Sequence, residues 1–234
     1  MQVIPSIDLA GGRSRLVFWP GASTGTGTPT DRPERIARHF AELGAPVIHV
    51  VDLDGAQAGS PVSTAAIGAI ARAVARPLQV AGGIDGPEQI ELAFAAGATR
   101  VVVPLHAVAD DPARLAACLR VAGDWLAVGL DARAERLAEF PWRGHAPAGL
   151  EALVEALAGA GVQRFVLAHG GAEPDLALLE RLVRGSDAEF LVAGGVTDLA
   201  ALAGLRAAGV AGVILGEALL SGRIDYPAAL AAAA

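Results

Sequence analysis

The chain has 234 residues, 53% of them hydrophobic, a profile typical of a globular protein with parallel strands buried on both faces. Its net charge of −7 argues against a nucleic-acid partner, and the lack of a long apolar stretch or basic leader argues against a membrane span or secretion signal, so we expect a cytoplasmic protein. All 18 basic residues are arginine, which excludes Schiff-base and pyridoxal chemistry because both need lysine.

Short apolar runs alternate with helical patterns eight times along the chain. Eight such alternations in this length predict a (β/α)8 TIM barrel in one domain, residues 1–234, with a doubly wound open sheet as the alternative. The strands are predicted near residues 2–7, 47–52, 78–81, 100–104, 125–130, 164–168, 189–193 and 212–215.

The connection after the first strand is unusually long. It runs from Leu9 to Arg32 and is rich in glycine, serine and threonine, which is typical of a mobile lid or a binding loop. Arg13 and Arg15 at its base are candidates for contacting a phosphate. The alternative is that both arginines are solvated side chains on a flexible loop.

The chain contains an internal repeat. The motif Ala81-Gly82-Gly83-Ile84 recurs as Ala193-Gly194-Gly195-Val196. We therefore expect two half-barrels of the same design, at approximately 1–122 and 123–234. A twofold repeat favours a closed barrel over an open sheet, because closure pairs the exposed edges of the two half-barrels.

Two aspartates occupy matching places in the repeat. Asp8 and Asp131 each end a short apolar run, and the carboxyl ends of the strands are where a barrel of this type carries its chemistry. Two acids placed in this way suggest paired proton transfer. The alternative is that each carboxylate caps the segment that follows it.

The glycine pairs offer a way to bind phosphate without lysine. Gly82-Gly83 and Gly194-Gly195 follow strands and precede helices, so backbone amides can approach an anion closely. The next unit of the second half supplies Gly216, whereas the first half has Pro104, which has no amide hydrogen to donate. We therefore expect the stronger phosphate site in the second half.

Six motifs together carry a family resemblance: Ile4-Pro5-Ser6-Ile7-Asp8-Leu9, His49-Val50-Val51-Asp52-Leu53-Asp54-Gly55-Ala56, Gly82-Gly83-Ile84, Gly129-Leu130-Asp131, Ala193-Gly194-Gly195-Val196 and Gly216-Glu217-Ala218-Leu219. The chain resembles the phosphoribosylformimino-5-aminoimidazole carboxamide ribotide isomerases of histidine biosynthesis, nearly end to end. The resemblance implies a half-barrel duplication, a small substrate with two phosphates, and no metal or organic cofactor. We expect a monomer.

The resemblance also implies an aldose-ketose isomerisation, the Amadori rearrangement. This reaction needs an acid to open the ribose ring and a base to move a proton from C2. The resemblance assigns the base to Asp8 and the acid to Asp131, and it places Gly216 and Glu217 at a phosphate.

Three departures from the family pattern leave the substrate open. After the sixth strand the family has a Thr-Asp pair and a longer loop, whereas this chain has Ala168-His169 and a shorter loop. His169 is a candidate hydrogen-bond donor or proton carrier. Asp85 replaces the arginine that in the family follows Gly82-Gly83-Ile84, and Pro104 removes an amide. The alternatives are therefore a paralogue acting on a smaller monophosphorylated sugar or amine, and a non-catalytic ligand-binding barrel.

Overall fold

The fold is known from a computed structural model, which describes residues 1–18, 28–109, 111–131, 149–169 and 173–234, with the backbone alone at Asp131. Within these residues, eight parallel strands close into a barrel in chain order, which confirms the predicted (β/α)8 fold. Most of the glycine-rich stretch predicted to be a lid lies outside the described residues. The barrel strands are β1 (Gln2–Ala10), β3 (Ile48–Asp52), β4 (Leu78–Ala81), β5 (Arg100–Pro104), β6 (Leu126–Asp131), β7 (Arg164–Ala168), β8 (Glu189–Ala193) and β9 (Gly212–Leu215), and the short β2 (Arg13–Ser14) pairs antiparallel with β1.

Helices connect the strands, and several begin where the sequence predicts. Pro33, Pro87 and Pro112 each lie in the first turn of a helix, where the missing amide hydrogen costs nothing. The helices of the described segments are α1 (Pro33–Glu42), α2 (Leu53–Ala58), α3 (Thr64–Ala73), α4 (Pro87–Ala95), α5 (Leu105–Val108), α6 (Pro112–Ala122), α7 (Leu150–Gly159), α8 (Leu176–Gly185), α9 (Leu199–Ala207), α10 (Glu217–Leu220) and α11 (Tyr226–Ala233).

The first strand closes the barrel and is held at both sides. β1 pairs in parallel with β3 and with β9, so neither edge of the sheet stays open. The last helix fixes β1 from outside, because the Tyr226 hydroxyl donates a hydrogen bond to the Val3 carbonyl at 2.8 Å. The ring of Tyr226 also packs edge-on against Phe40 of α1, with 5.2 Å between centroids.

Alternate residues of the strands divide the core into two layers. The larger layer lies between strands and helices and includes the stacked rings of Phe165 and Phe190, 5.6 Å apart. The smaller layer fills the barrel interior with mostly compact side chains, a packed core rather than a pore. Its buried members are Ile4, Val47, Val102, Ala127, Val166, Leu191 and Ile214.

The repeated glycine pairs share one backbone conformation. Gly82 and Gly83 have φ of 98° and 70°, and Gly194 and Gly195 have φ of 79° and 75°, a left-handed region that favours glycine. In the first half the packing is also tight, because a Cβ on Gly83 would lie 2.5 Å from the Gly55 carbonyl oxygen. The first glycine pair is therefore required by its contact with the segment after β3, whatever it binds.

Replacing Gly83 with alanine should lower the free energy of unfolding by about 2 to 4 kcal/mol, because left-handed strain and overpacking add. The matched control is Gly12→Ala, since Gly12 has φ of 72° but no atom within 4 Å of an added Cβ. The control should lose only about 1 kcal/mol. Urea denaturation of both variants measures the difference, and equal losses would contradict the packing argument.

Candidate active site

The pairing of the strands places Asp8 and Asp131 at the same height on opposite sides of the barrel. If the paired residues are followed from Asp8 on β1 through β3, β4 and β5, the residue reached on β6 is Ala127. Asp131 lies four residues further along β6. From Asp131, the pairs lead across the other four steps to Ile4, and Asp8 lies four residues further along β1. The total shift of eight residues is that of a (β/α)8 barrel, in which the level rises by one residue per strand. The two acids therefore stand level at the carboxyl ends of their strands.

Asp8 is a partly exposed carboxylate with a cation beside it. Its side chain is 31% exposed, and one oxygen lies 3.5 Å from the Arg15 guanidinium. The backbone amide of Arg15 donates to the Asp8 carbonyl at 2.8 Å, which fixes Arg15 next to the strand end. The Ser6 hydroxyl donates to the other carboxylate oxygen at 3.4 Å. Asp8 is thus both held in place and accessible from the barrel mouth.

Arg13 is engaged in an ion pair. Its guanidinium binds the Asp31 carboxylate through two hydrogen bonds, one of them 2.6 Å long. The same pair lowers the pKa of Asp31 and raises that of Arg13, chiefly through the hydrogen bond. An antiparallel bridge between Phe18 and Thr30 also joins the two ends of the long connection. Of the two arginines considered for phosphate, the geometry leaves Arg15 near the mouth and ties Arg13 to Asp31.

His169 lies at the end of β7, next to the strand of the second acid. Its neighbour Ala168 pairs with Asp131, and its own amide donates to the Ala193 carbonyl at 3.0 Å. The residue is 6% exposed, and its Nε2 is buried with no partner among the described residues. Burial lowers the pKa of His169, with a smaller opposite effect from Asp175, so the ring is neutral at pH 7.

Asp52, in the motif from His49 to Ala56, proves to be a structural anchor. Its carboxylate is fully buried and accepts backbone amide hydrogens from Gly55, Val62 and Ser63, at 3.0, 2.7 and 2.7 Å. These bonds cap α2 and draw the connection to α3 against the end of β3. The sequence signal was an aspartate three residues before Gly55, a helix-capping pattern.

The glycine of the second-half phosphate motif adjoins the first acid strand. Gly216 precedes the short helix α10, and a Cβ added to it would lie 3.5 Å from the Ser6 Cβ. The Glu217 carboxylate is exposed and pairs with Arg223 at 3.5 Å. Glu217 thus directs its charge at Arg223 and has only its backbone amide to offer an anion. In the first half, Pro104 holds the matching place before α5.

A further polar group, whose members share no sequence motif, lies inside the barrel. His49 Nδ1 is 3.0 Å from the Gln79 amide nitrogen, and Arg100 donates to the Gln79 carbonyl oxygen at 3.0 Å. The signal in the sequence was a glutamine within the otherwise apolar strand β4.

A surface cleft of about 720 Å³ lies at the opposite end of the barrel. It is bordered by Arg164 and Glu189, which begin β7 and β8 and form an ion pair with each other. Barrels of this kind carry their chemistry at the carboxyl ends of the strands, so this cleft is not the candidate site.

In the described part of the chain, no three acidic, histidine or cysteine side chains are grouped to hold a metal, and no helix is long and apolar enough to span a membrane.

Comparison with known proteins gives matches over nearly the whole chain. The family model of the histidine biosynthesis proteins matches residues 2–225. Three relatives carry the name 1-(5-phosphoribosyl)-5-((5-phosphoribosylamino)methylideneamino)imidazole-4-carboxamide isomerase. The one from Roseiflexus castenholzii is 37% identical over 99% of both chains, and the one from Moorella thermoacetica is 36% identical over 100% of this chain and 99% of its own. The relative from a Synechococcus species is 37% identical over 99% of this chain and 90% of its own.

Proposed function

The chain belongs to the histidine biosynthesis protein family, and on that premise we propose that it is an aldose-ketose isomerase acting on the ribotide named for its relatives. The observation that carries the proposal is the placement of Asp8 and Asp131, level and opposite at the mouth of the barrel. An Amadori rearrangement needs an acid and a base that reach one sugar from two sides. Two aspartates on opposed strands supply that arrangement.

The proposed roles follow from the bonds that change. Asp131 donates a proton to the ribose ring oxygen, the ring opens, and a protonated Schiff base forms at C1. Asp8 then removes the proton from C2 to give the enaminol. Protonation at C1 and loss of the proton from the C2 hydroxyl give the aminoketose. Each proton lost from one carbon is balanced by one gained at its neighbour, so the substrate is isomerised without an external oxidant.

Arg15 and His169 support this chemistry in the proposal. The guanidinium of Arg15 lies 3.5 Å from Asp8 in a partly exposed setting, so a substrate phosphate or carboxamide can compete for it. The neutral ring of His169 has a buried Nε2 without a partner among the described residues, beside the strand of Asp131. We assign it a hydrogen bond to the substrate, since a buried polar atom normally has a partner.

The two phosphate sites of the proposal differ in strength. In the second half, Gly194 and Gly195 follow the carboxyl end of β8, and Gly216 and Glu217 follow that of β9. In the first half, Gly82 and Gly83 are packed against the segment after β3, and this half also carries the Asp85 and Pro104 changes. A carboxylate near a phosphate is repulsive, so we propose that the second-half site binds its phosphate more tightly.

The Asp8→Asn variant should lose about 10³-fold in kcat, because the amide cannot accept the C2 proton. Conversion of the aminoaldose ribotide to the ketose, followed by absorbance or chromatography, measures the loss, and Asp131→Asn should be similarly impaired. The control is Asp225→Asn, which changes a helix cap on α11 outside the mouth and should leave kcat unchanged. No turnover by the wild-type protein at high enzyme concentration would reject the proposed function.

For His169, the His169→Leu variant should lower kcat/KM about 100-fold, because it removes a hydrogen-bond donor from a buried position. The His169→Gln variant retains a side-chain donor and should keep most of the activity. Steady-state kinetics on both variants at pH 7.5 decide the point. Equal activity of the leucine and glutamine variants would show that His169 does not contact the substrate.

The asymmetry of the phosphate sites predicts where an anion binds. In crystals grown with sulfate, density should appear at the amides near Gly195 and Gly216, because the first half lacks one amide and carries Asp85. Equal occupancy near Gly83 would contradict the ranking of the two sites.

The same asymmetry favours a second candidate function, action on a smaller monophosphorylated sugar or amine. Asp85 and Pro104 weaken the first-half phosphate site. A substrate with a single phosphate needs only the second-half site. Turnover of the monophosphorylated compound with a kcat/KM equal to or above that of the full ribotide would support this second candidate over the first.

A further inference from the structure

A line of three hydrogen-bonded side chains, two of them buried, crosses the barrel interior below the level of the candidate acids. Arg100 on β5, Gln79 on β4 and His49 on β3 are paired residues of neighbouring strands, and hydrogen bonds of 3.0 Å join each to the next. Gln79 is fully buried and His49 is nearly so. Their strand positions alternate with the outer core residues, so all three side chains point into the barrel.

The chemistry of the line fixes the orientation of the glutamine. A guanidinium has five N–H donors and no acceptor, so the Gln79 atom that faces Arg100 is the carbonyl oxygen. The amide nitrogen of Gln79 therefore faces His49. An amide NH₂ group is a donor only, so the ring nitrogen that it meets, Nδ1, must be the acceptor.

The orientation of Gln79 in turn determines which ring nitrogen of His49 carries the proton. Burial lowers the pKa of His49 to about 4, and the positive charge of Arg100 acts in the same direction, so the ring is neutral at pH 7. A neutral imidazole whose Nδ1 accepts carries its proton on Nε2. The Nε2–H group points away from Nδ1, and thus away from Gln79 on β4.

His49 also has a defined place relative to the proposed base. Its paired residue on β1 is Ser6, whose hydroxyl donates to the Asp8 carboxylate at 3.4 Å. Asp8 is two residues further along the same face of β1, toward the mouth. His49 thus lies in the barrel interior, on the strand next to Asp8 and further from the mouth, and Nε2–H is the one donor that its neutral ring has left.

We propose that Arg100 and Gln79 are positioning residues that hold His49 as the neutral tautomer with its proton on Nε2, and that His49 donates this hydrogen bond to a ribose hydroxyl of the substrate beside Asp8. The tautomer follows from the structure alone, whereas the contact with the sugar rests on the proposed isomerase function. All hydrogen bonds in the line run in one direction. Arg100 donates to Gln79, Gln79 donates to His49, and His49 donates to the substrate.

The decisive variant is Gln79→Glu, which keeps the shape of the side chain and reverses its hydrogen bonding. A carboxylate accepts from Arg100 and can only accept from His49, so Nδ1 must now carry a proton. The new negative charge also raises the pKa of His49. Above that pKa the ring is neutral with a bare Nε2, and below it the imidazolium regains the Nε2–H.

The first measurement is the tautomer, read by long-range ¹H–¹⁵N NMR of histidine-labelled protein. In the wild type at pH 7.5, His49 should show a protonated Nε2 and a bare Nδ1. In Gln79→Glu at pH 9, it should show the opposite. A wild-type His49 with its proton on Nδ1 would overturn the proposal, and this readout needs no turnover.

The second measurement is the ratio of kcat/KM of Gln79→Glu to that of the wild type between pH 6 and pH 9. It should be near one at pH 6 and fall about 100-fold by pH 9, as Nε2 loses its proton. Among the described residues, the charged side chains near His49 are Asp8 from β1 and Arg100 from β5. Both are present in both proteins, so the ratio isolates the effect of the change at Gln79. A flat ratio, with the tautomer changed, would show that His49 does not touch the sugar.

Two variants of Arg100 keep the proposal testable if Gln79→Glu fails to fold. Arg100→Lys retains a donor toward the Gln79 carbonyl and should keep the tautomer and the activity, whereas Arg100→Met should give mixed tautomers and reduced kcat/KM. Equal behaviour of the two would overturn the positioning role. If the wild type turns over no ribotide, the proposed function fails, while the NMR result still decides the tautomer.

Discussion

Closure of the barrel between β1 and β9 is the constraint on which the rest of the structure depends. The pairing of Ile4 with Ile214 completes a circuit in which the register advances by eight residues. Half of that advance falls between β1 and β6 and half between β6 and β1, so one acid from each half of the repeat reaches the same level. A slip of one residue at any of these pairings would turn the inward side chains of that strand outward. The position of the acids is therefore a property of the closed sheet.

The two halves of the chain share a backbone conformation at their glycine pairs but differ in the contacts around them. Both glycine pairs adopt left-handed conformations at matching positions, yet the first pair is packed against a segment that the buried Asp52 holds in place. In the second half, Gly216 adjoins Ser6 on the strand of the proposed base. The repeat thus supplies a scaffold with twofold symmetry, and the differences at Asp85 and Pro104 support the proposal that the second half binds its phosphate more tightly.

The polar line from Arg100 to His49 lies in an otherwise apolar barrel interior, and it bears on both the stability of the barrel and the proposed chemistry. Most of the interior's buried side chains are compact and apolar, and the line from Arg100 to His49 is an exception that must satisfy its own hydrogen bonds. A buried polar network is costly when a member lacks a partner, and Arg100 Nε has none among the described residues. Packing alone would favour apolar residues here, which is why we connect this line to positioning a donor below the substrate.

The sequence by itself determined the eight strands, the half-barrel repeat and the candidate acids, because apolar periodicity and strand-end residues are local signals. It also gave the glycine pairs, since left-handed turns depend on residue type. Only the tertiary structure decided that Asp52 is an anchor, that Arg13 is tied to Asp31, and that Gln79 joins Arg100 to His49. These contacts join residues that lie far apart along the chain or in its loops, and their geometry follows from the strand register and the closure of the barrel, which no local pattern specifies.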